Sequence, residues 1–267
     1  MIVAVIGAGK IGEAVANSVA KSRQVTKVIM TKRNVSTIAH AKSDKVAVTS
    51  DNRDAARKAD LIVIAVKAGD GKHVLSEVSP FTADKIVISL MAAITIQRLE
   101  KALPDAKIVR TMPNIAAIIG EAITAYSLGT RVTRADAEKV EFILGCFGDY
   151  VEVPESLLNP ITALSGSGPA YIAVVIEAMV SAGLKVGIPR DISFKLVTKT
   201  LTGTANLLSE KKMHPAELRD TVTTPAGTTI AGIYELEKGS LRTSIMNAVE
   251  AATQAAEKVA KKFESEG

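Results

Sequence analysis

The first twelve residues constrain the fold most. Ile2-Val3-Ala4-Val5-Ile6 is a short unbroken apolar run that ends directly in Gly7-Ala8-Gly9-Lys10-Ile11-Gly12. Behind it Ile11, Val15 and Val19 recur four residues apart, one face of a helix. The result is G-x-G-x-x-G set between a strand and a helix. The first glycine permits the tight turn, the second lets a diphosphate approach the backbone, and the third lets helix and strand pack closely. Free N–H groups and the dipole at the helix start attract phosphate. A glycine turn without a ligand is the weaker alternative at this placement. A P-loop is excluded, because Gly12 is followed by Glu13 rather than Lys and Ser or Thr.

The theme repeats through the first half. Apolar runs at 28–30, 46–48, 61–66, 86–90 and 108–109 read as strands, and 61–66 is apolar throughout, as a strand covered on both faces must be. Helical patterns lie at 54–59 and 96–103. Strands alternating with helices predict a parallel sheet with right-handed crossovers. After 149–153 the pattern changes, and from Gly168 onward everything reads as helix: about 168–184, 190–210, 214–221, 228–238 and 241–264. The expectation is an α/β Rossmann dinucleotide-binding domain over residues 1–155, followed by an all-α dimerisation and substrate-binding domain over 156–267. The stretch 168–184 is apolar almost all round and needs neighbours on every side. So few helical residues cannot enclose it alone, which predicts a homodimer with interleaved helices.

Composition narrows the classes further. Apolar residues at 47% exclude a disordered chain. One cysteine, Cys146, forms no intramolecular disulfide, and the scattered His40, His73 and His214 offer no metal cluster. These features, with no basic leader ahead of the first strand, predict a cytoplasmic protein with no metal. The net charge of +5 comes with basic pairs far apart and no aromatic residues between them, so nucleic acid is not expected. The stretch 168–184 is shorter than the roughly 20 residues of a bilayer span and carries Glu177, so it is read as a buried helix and no membrane partner is expected.

After the second strand the chain runs Thr31-Lys32-Arg33-Asn34, with no acid to take a ribose 2′-hydroxyl. Arg33 offers a 2′-phosphate two parallel hydrogen bonds, so NADPH is preferred and NADH is the weaker alternative. A charge-assisted hydrogen bond contributes roughly 1.5–3 kcal/mol, or about 10- to 150-fold. If Lys32 and Arg33 were merely solvated loop charges, this preference would vanish.

Two longer blocks carry more. Residues 163–171 read Ala-Leu-Ser-Gly-Ser-Gly-Pro-Ala-Tyr, and 214–229 read His-Pro-Ala-Glu-Leu-Arg-Asp-Thr-Val-Thr-Thr-Pro-Ala-Gly-Thr-Thr. With Ala65-Val66-Lys67, Val109-Arg110-Thr111-Met112-Pro113-Asn114 and residues 182–190, they make the whole chain resemble the pyrroline-5-carboxylate reductase family. That resemblance implies a Rossmann domain followed by an intertwined helical dimer domain. It also implies reduction of L-1-pyrroline-5-carboxylate, a cyclic imine, to L-proline. It assigns the 222–229 loop to substrate, with Val222, Thr224, Gly227, Thr228, Thr229 and Ser165 as contacts. Thr229 is the catalytic candidate, hydrogen-bonded to the ring nitrogen. On the cofactor side it adds Thr31, Lys32, Arg33, Asn52, Ala65, Val66, Lys67, Met91, Ala92 and Asn114 to Gly7, Ala8, Gly9, Lys10, Ile11 and Gly12.

The chain departs from the family pattern at four places. Ala68 replaces the proline after Ala-Val-Lys, and Ile115-Ala116 follows Asn114 where Thr-Pro is usual. Asn159-Pro160 stands for Asp-Ala, and Ala226 stands for the first glycine of Pro-Gly-Gly-Thr. If position 226 needs a positive φ, alanine strains the loop. The alternatives are a reductase of a related cyclic imino acid and a catalytically silent NADP-binding sensor.

Overall fold

The computed structural model describes residues 1–265; positions 266–267 of the expected second domain lie outside them. Eight strands form one sheet: β1 (Ile2–Ile6), β2 (Lys27–Thr31), β3 (Val46–Thr49), β4 (Leu61–Ile64), β5 (Ile86–Ser89), β6 (Lys107–Met112), β7 (Ala122–Leu128) and β8 (Gly148–Glu152). Between them run helices α1 (Lys10–Ala20), α2 (Asn52–Lys58), α3 (Ala68–Val78), α4 (Ile96–Ala102) and α5 (Arg134–Gly145). The helical part follows as α6 (Leu158–Ile161), α7 (Gly168–Lys185), α8 (Arg190–Lys211), α9 (Pro215–Thr221), α10 (Thr228–Lys238) and α11 (Leu241–Ser265).

The strand order is β3-β2-β1-β4-β5-β6-β7-β8. The order reverses between β1 and β4, which opens a crevice outside the carboxyl ends of the strands. Side-chain alternation builds two cores at once. Val3 and Val5 pack on one face with Leu61, Val63, Ile86 and Ile88. Ala4 and Ile6 pack on the other with Ile62, Ile64 and Val87. Val15 and Val19 of α1 are fully buried in the first core. A continuous apolar run is therefore what a doubly covered strand requires.

The all-parallel expectation fails at one edge. Strand β7 pairs antiparallel with β6, Val109 opposite Leu128, and β8 then runs parallel to β7. Gly120 at φ 80 turns the chain back between them. The 61–66 run is two residues shorter as a strand, although Ala65 N still donates to Ile6 O at 2.8 Å.

The chain divides into two compact units, Met1–Pro169 with the end of α11, and Ala170–Glu250. Within its own chain α7 is not a buried helix: Val180 is its only buried residue, while Ile172 and Val174 are exposed. The helix also runs longer than the stretch 168–184 expected from sequence. Near-continuous helix from Glu155 to Lys185, 31 residues, is long and apolar enough to cross a membrane by length and composition alone.

Candidate active site

The glycine turn has the geometry its spacing implies. Gly7 has φ 97, and a Cβ there would lie 2.5 Å from Val66 Cγ1. A Cβ at Gly12 would overlap the Gly7 carbonyl, so the helix sits against the turn. A Cβ at Gly9 would meet nothing within 4 Å, which is the open side a diphosphate needs. Gly9 N donates to Gly7 O at 2.9 Å, and Gly7 and Ala8 donate to Thr31 O at 3.2 and 2.8 Å. Gly9 caps α1 without a side-chain hydrogen bond, leaving the first-turn N–H groups to a ligand. Lys10 and Ile11 complete that first turn.

The other cofactor candidates converge on the same carboxyl edge: Thr31 ends β2, Lys67 follows β4, Met91 follows β5 and Asn114 follows β6. The Thr31 hydroxyl donates to Asn52 Oδ1 at 2.6 Å, and Asn52 Nδ2 donates to Glu77 Oε2 at 2.7 Å. Lys32 is half-buried; Arg33 is 91% exposed, its Nη2 3.4 Å from Asp70 Oδ2. Ala65 and Val66 are half-buried, and Lys67 is exposed at the start of α3. Met91 is buried against Gly71, where a Cβ would lie 2.9 Å from its sulfur, and Ala92 is exposed. Asn114 Oδ1 accepts from Ala116 N at 3.2 Å.

In the second unit, α9 leads through exposed Val222 and Thr224 to Gly227, the cap of α10. Gly227 N donates to Thr224 O at 3.0 Å, and a Cβ at Gly227 would overlap the Thr224 hydroxyl. Ala226 has φ 55, the condition under which alanine strains the loop. Gly227 contributes no side-chain cap, so the N–H groups around Thr228 and half-buried Thr229 remain for an anion. Ser165 lies in the other unit, on a π-turn closed by Ser167 N to Thr162 O at 2.8 Å; its Oγ donates to Ile161 O at 3.3 Å.

Three charged residues had no role assigned from the sequence. Arg110 is buried, donating to Glu155 Oε1 and Asn159 Oδ1, each at 2.9 Å, and Glu155 also accepts from Ile96 N. This pins β6 to the segment carrying Ser165. Asn159 occupies one of the positions where the chain departs from the family pattern. The other two, Asp70 and Glu77, sit on α3. Their only sequence signal is helical spacing with buried Val74, Leu75 and Val78.

The turn, its open side and the crevice at the strand-order reversal define a dinucleotide-binding protein of the Rossmann type. Residues 2–93 match the family profile described as NADP oxidoreductase coenzyme F420-dependent, and 155–259 match pyrroline-5-carboxylate reductase dimerisation. The chain is 40% identical to pyrroline-5-carboxylate reductase of Synechocystis over 221 residues, 83% of each protein. Against the Pisum sativum enzyme it is 37% identical over 252 residues, 93% of this chain and 92% of that one. The crystal structure of pyrroline carboxylate reductase from Plasmodium falciparum, with NADP bound, superposes with TM-score 0.88. It has 30% identity and covers 97% of this chain and 98% of its own. The Coxiella burnetii structure gives 0.88 and 31%, covering 97% of each. The chain belongs to the pyrroline-5-carboxylate reductase family.

Proposed function

We propose that this protein reduces L-1-pyrroline-5-carboxylate to L-proline with NADPH. The observation that carries this reading is the 222–229 loop, which ends on a helix start with no side-chain cap. Those N–H groups hold the substrate carboxylate, with Val222, Thr224, Gly227 and Thr228 shaping the loop and Ser165 supplying a further hydroxyl. Thr229 donates a hydrogen bond to the ring nitrogen as imine becomes amine. Threonine is a weak acid, so its role is orientation and proton relay. A protonated imine is already electrophilic, which is why no His or Asp pair is needed.

The Gly7–Gly12 turn, Thr31, Lys32, Arg33 and Asn52 hold the diphosphate and adenosine end. Residues 65–67, Met91, Ala92 and Asn114 hold the remainder. When bound, NADPH supplies a hydride to the imine carbon. NADH is the weaker donor. The protein works as an intertwined homodimer, supported by the dimerisation profile and by exposed Ile172, Val174, Phe194, Leu196 and Tyr234. A monomer in sedimentation at micromolar concentration contradicts this. A cytoplasmic location is part of this reading.

The test follows NADPH absorbance with pyrroline-5-carboxylate and its six-membered homologue. Faster loss with the five-membered ring supports the proposal. Faster loss with the larger ring assigns the protein to another imino acid, and no oxidation with either ring defeats the enzymatic reading.

A further inference from the structure

The adenosine end of the dinucleotide site carries two carboxylates, both from α3. Asp70, in its first turn, lies 3.4 Å from Arg33 Nη2. Glu77, in its last turn, accepts from Asn52 Nδ2 at 2.7 Å. Each acid thus occupies a donor of the adenosine end: Asp70 takes Arg33, assigned above to the 2′-phosphate, and Glu77 takes Asn52. Glu77 is held at both oxygens: its Oε2 takes Asn52, and its Oε1 lies 3.2 Å from His73 Nε2. Asp70 is half-exposed and Arg33 more so, which makes that pair easy to open.

A 2′-phosphate must draw Arg33 away from Asp70 and sit beside Glu77, against like charge. A 2′-hydroxyl meets no repulsion and donates a hydrogen bond to a carboxylate. The loop after β2 lacks an acid for that duty, and α3 supplies two from a different place in the chain.

We propose that Asp70 and Glu77 are specificity-determining residues that hold down the preference for NADPH, so that NADH is accepted as well. The inference deepens the function proposed above and rests on it for the class of cofactor.

Dissociation constants for NADPH and NADH, read from dihydronicotinamide fluorescence with the full-length protein, test it. Asp70→Asn and Glu77→Gln keep shape and one acceptor oxygen while removing charge. The ratio of the NADH to the NADPH constant is expected to rise roughly two- to fivefold in D70N, the weight of an exposed ion pair. It should rise about tenfold in E77Q, where the group is less exposed. An Arg33→Ala background should abolish the first effect and spare the second. If both cofactors shift by one factor, or the ratio falls, the proposal fails. A lower Tm with an unchanged ratio gives the acids a purely structural role and also defeats it. Should E77Q not fold, D70N carries the test alone. Cofactor binding that responds as expected, with no turnover of pyrroline-5-carboxylate, would sink the catalytic reading and leave this one standing.

Discussion

Ala226→Gly should stabilise the protein. Ala226 has φ 55 immediately ahead of Gly227, the cap of α10. The left-handed region costs a residue with a Cβ about 1–2 kcal/mol. The strain has no neighbouring position to move to. Gly227 N is bonded to Thr224 O at 3.0 Å, and a Cβ at 227 would overlap the Thr224 hydroxyl. Glycine at 226 removes that strain but adds about 0.4–1 kcal/mol of unfolded-chain freedom. The net gain is about 0.5–1 kcal/mol, or a Tm rise of roughly 1–4 °C for a chain of this size. Calorimetry of A226G, A226V and G227A reads it directly. A226V should lose stability because its branched Cβ tolerates this φ least, and G227A should lose stability and raise KM. Turnover in A226G should stay constant, since no reacting group changes. A lower Tm in A226G, or a rise in A226V, would refute the account of the loop.

Thr229→Val keeps the shape and removes the hydroxyl; kcat should fall roughly tenfold, the weight of one hydrogen bond, with the NADPH dissociation constant nearly unchanged. Unchanged turnover would remove the relay. Arg33→Ala should weaken NADPH by about tenfold and leave NADH alone, and equal loss for both would cancel its phosphate role. For Asp136, burial pushes the carboxyl up, but hydrogen bonds from Thr133 and Lys107 outweigh it and hold the group below 3.8. The native state therefore binds fewer protons than the unfolded chain just below the ordinary carboxylate range. Stability from this group is full above that range and lost as pH falls through the lowered value. Asp136→Asn should cost about 1–2 kcal/mol at neutral pH and flatten the acid limb of a pH–stability curve, while an equally steep limb would contradict the assignment.

The sheet and α1 were legible because burial alone writes their patterns. A strand covered on both faces is a continuous apolar run, and alternate residues of β1 do divide between two cores. Strand direction has no such signature. Ala122–Leu128 reads the same whichever way it pairs, and the chain returns to β6 through a short helical turn at Ile115–Ile119 and left-handed Gly120. Helix α5 was signalled locally, by the Thr133–Asp136 capping box and by Ala137, Val140 and Leu144 on one face, but the alternation of earlier strands overshadowed it. Helix α3 was a harder case. It opens Ala68-Gly69-Asp70-Gly71, poor helix-forming sequence. A Cβ at Gly71 would lie 2.9 Å from the Met91 sulfur, so this turn packs closely on the residue two beyond β5. That packing comes from the segment after β5 and is invisible along the chain.

The same division governs the site. A diphosphate is held by backbone, and the glycines that free the backbone are neighbours in sequence. The choice between two cofactors that differ by one phosphate is made by side chains, and these arrive from β2, α2 and α3. Thr31, Asn52 and Glu77 form one hydrogen-bonded line although they lie 21 and 25 residues apart. Reading Arg33 without Asp70 therefore overstates the pull on a 2′-phosphate, because the arginine's partner belongs to the least legible helix in the sheet domain. Cofactor class is a local property of this chain, whereas cofactor preference is a tertiary one. Substitutions on α3 should consequently change preference without changing whether a dinucleotide binds.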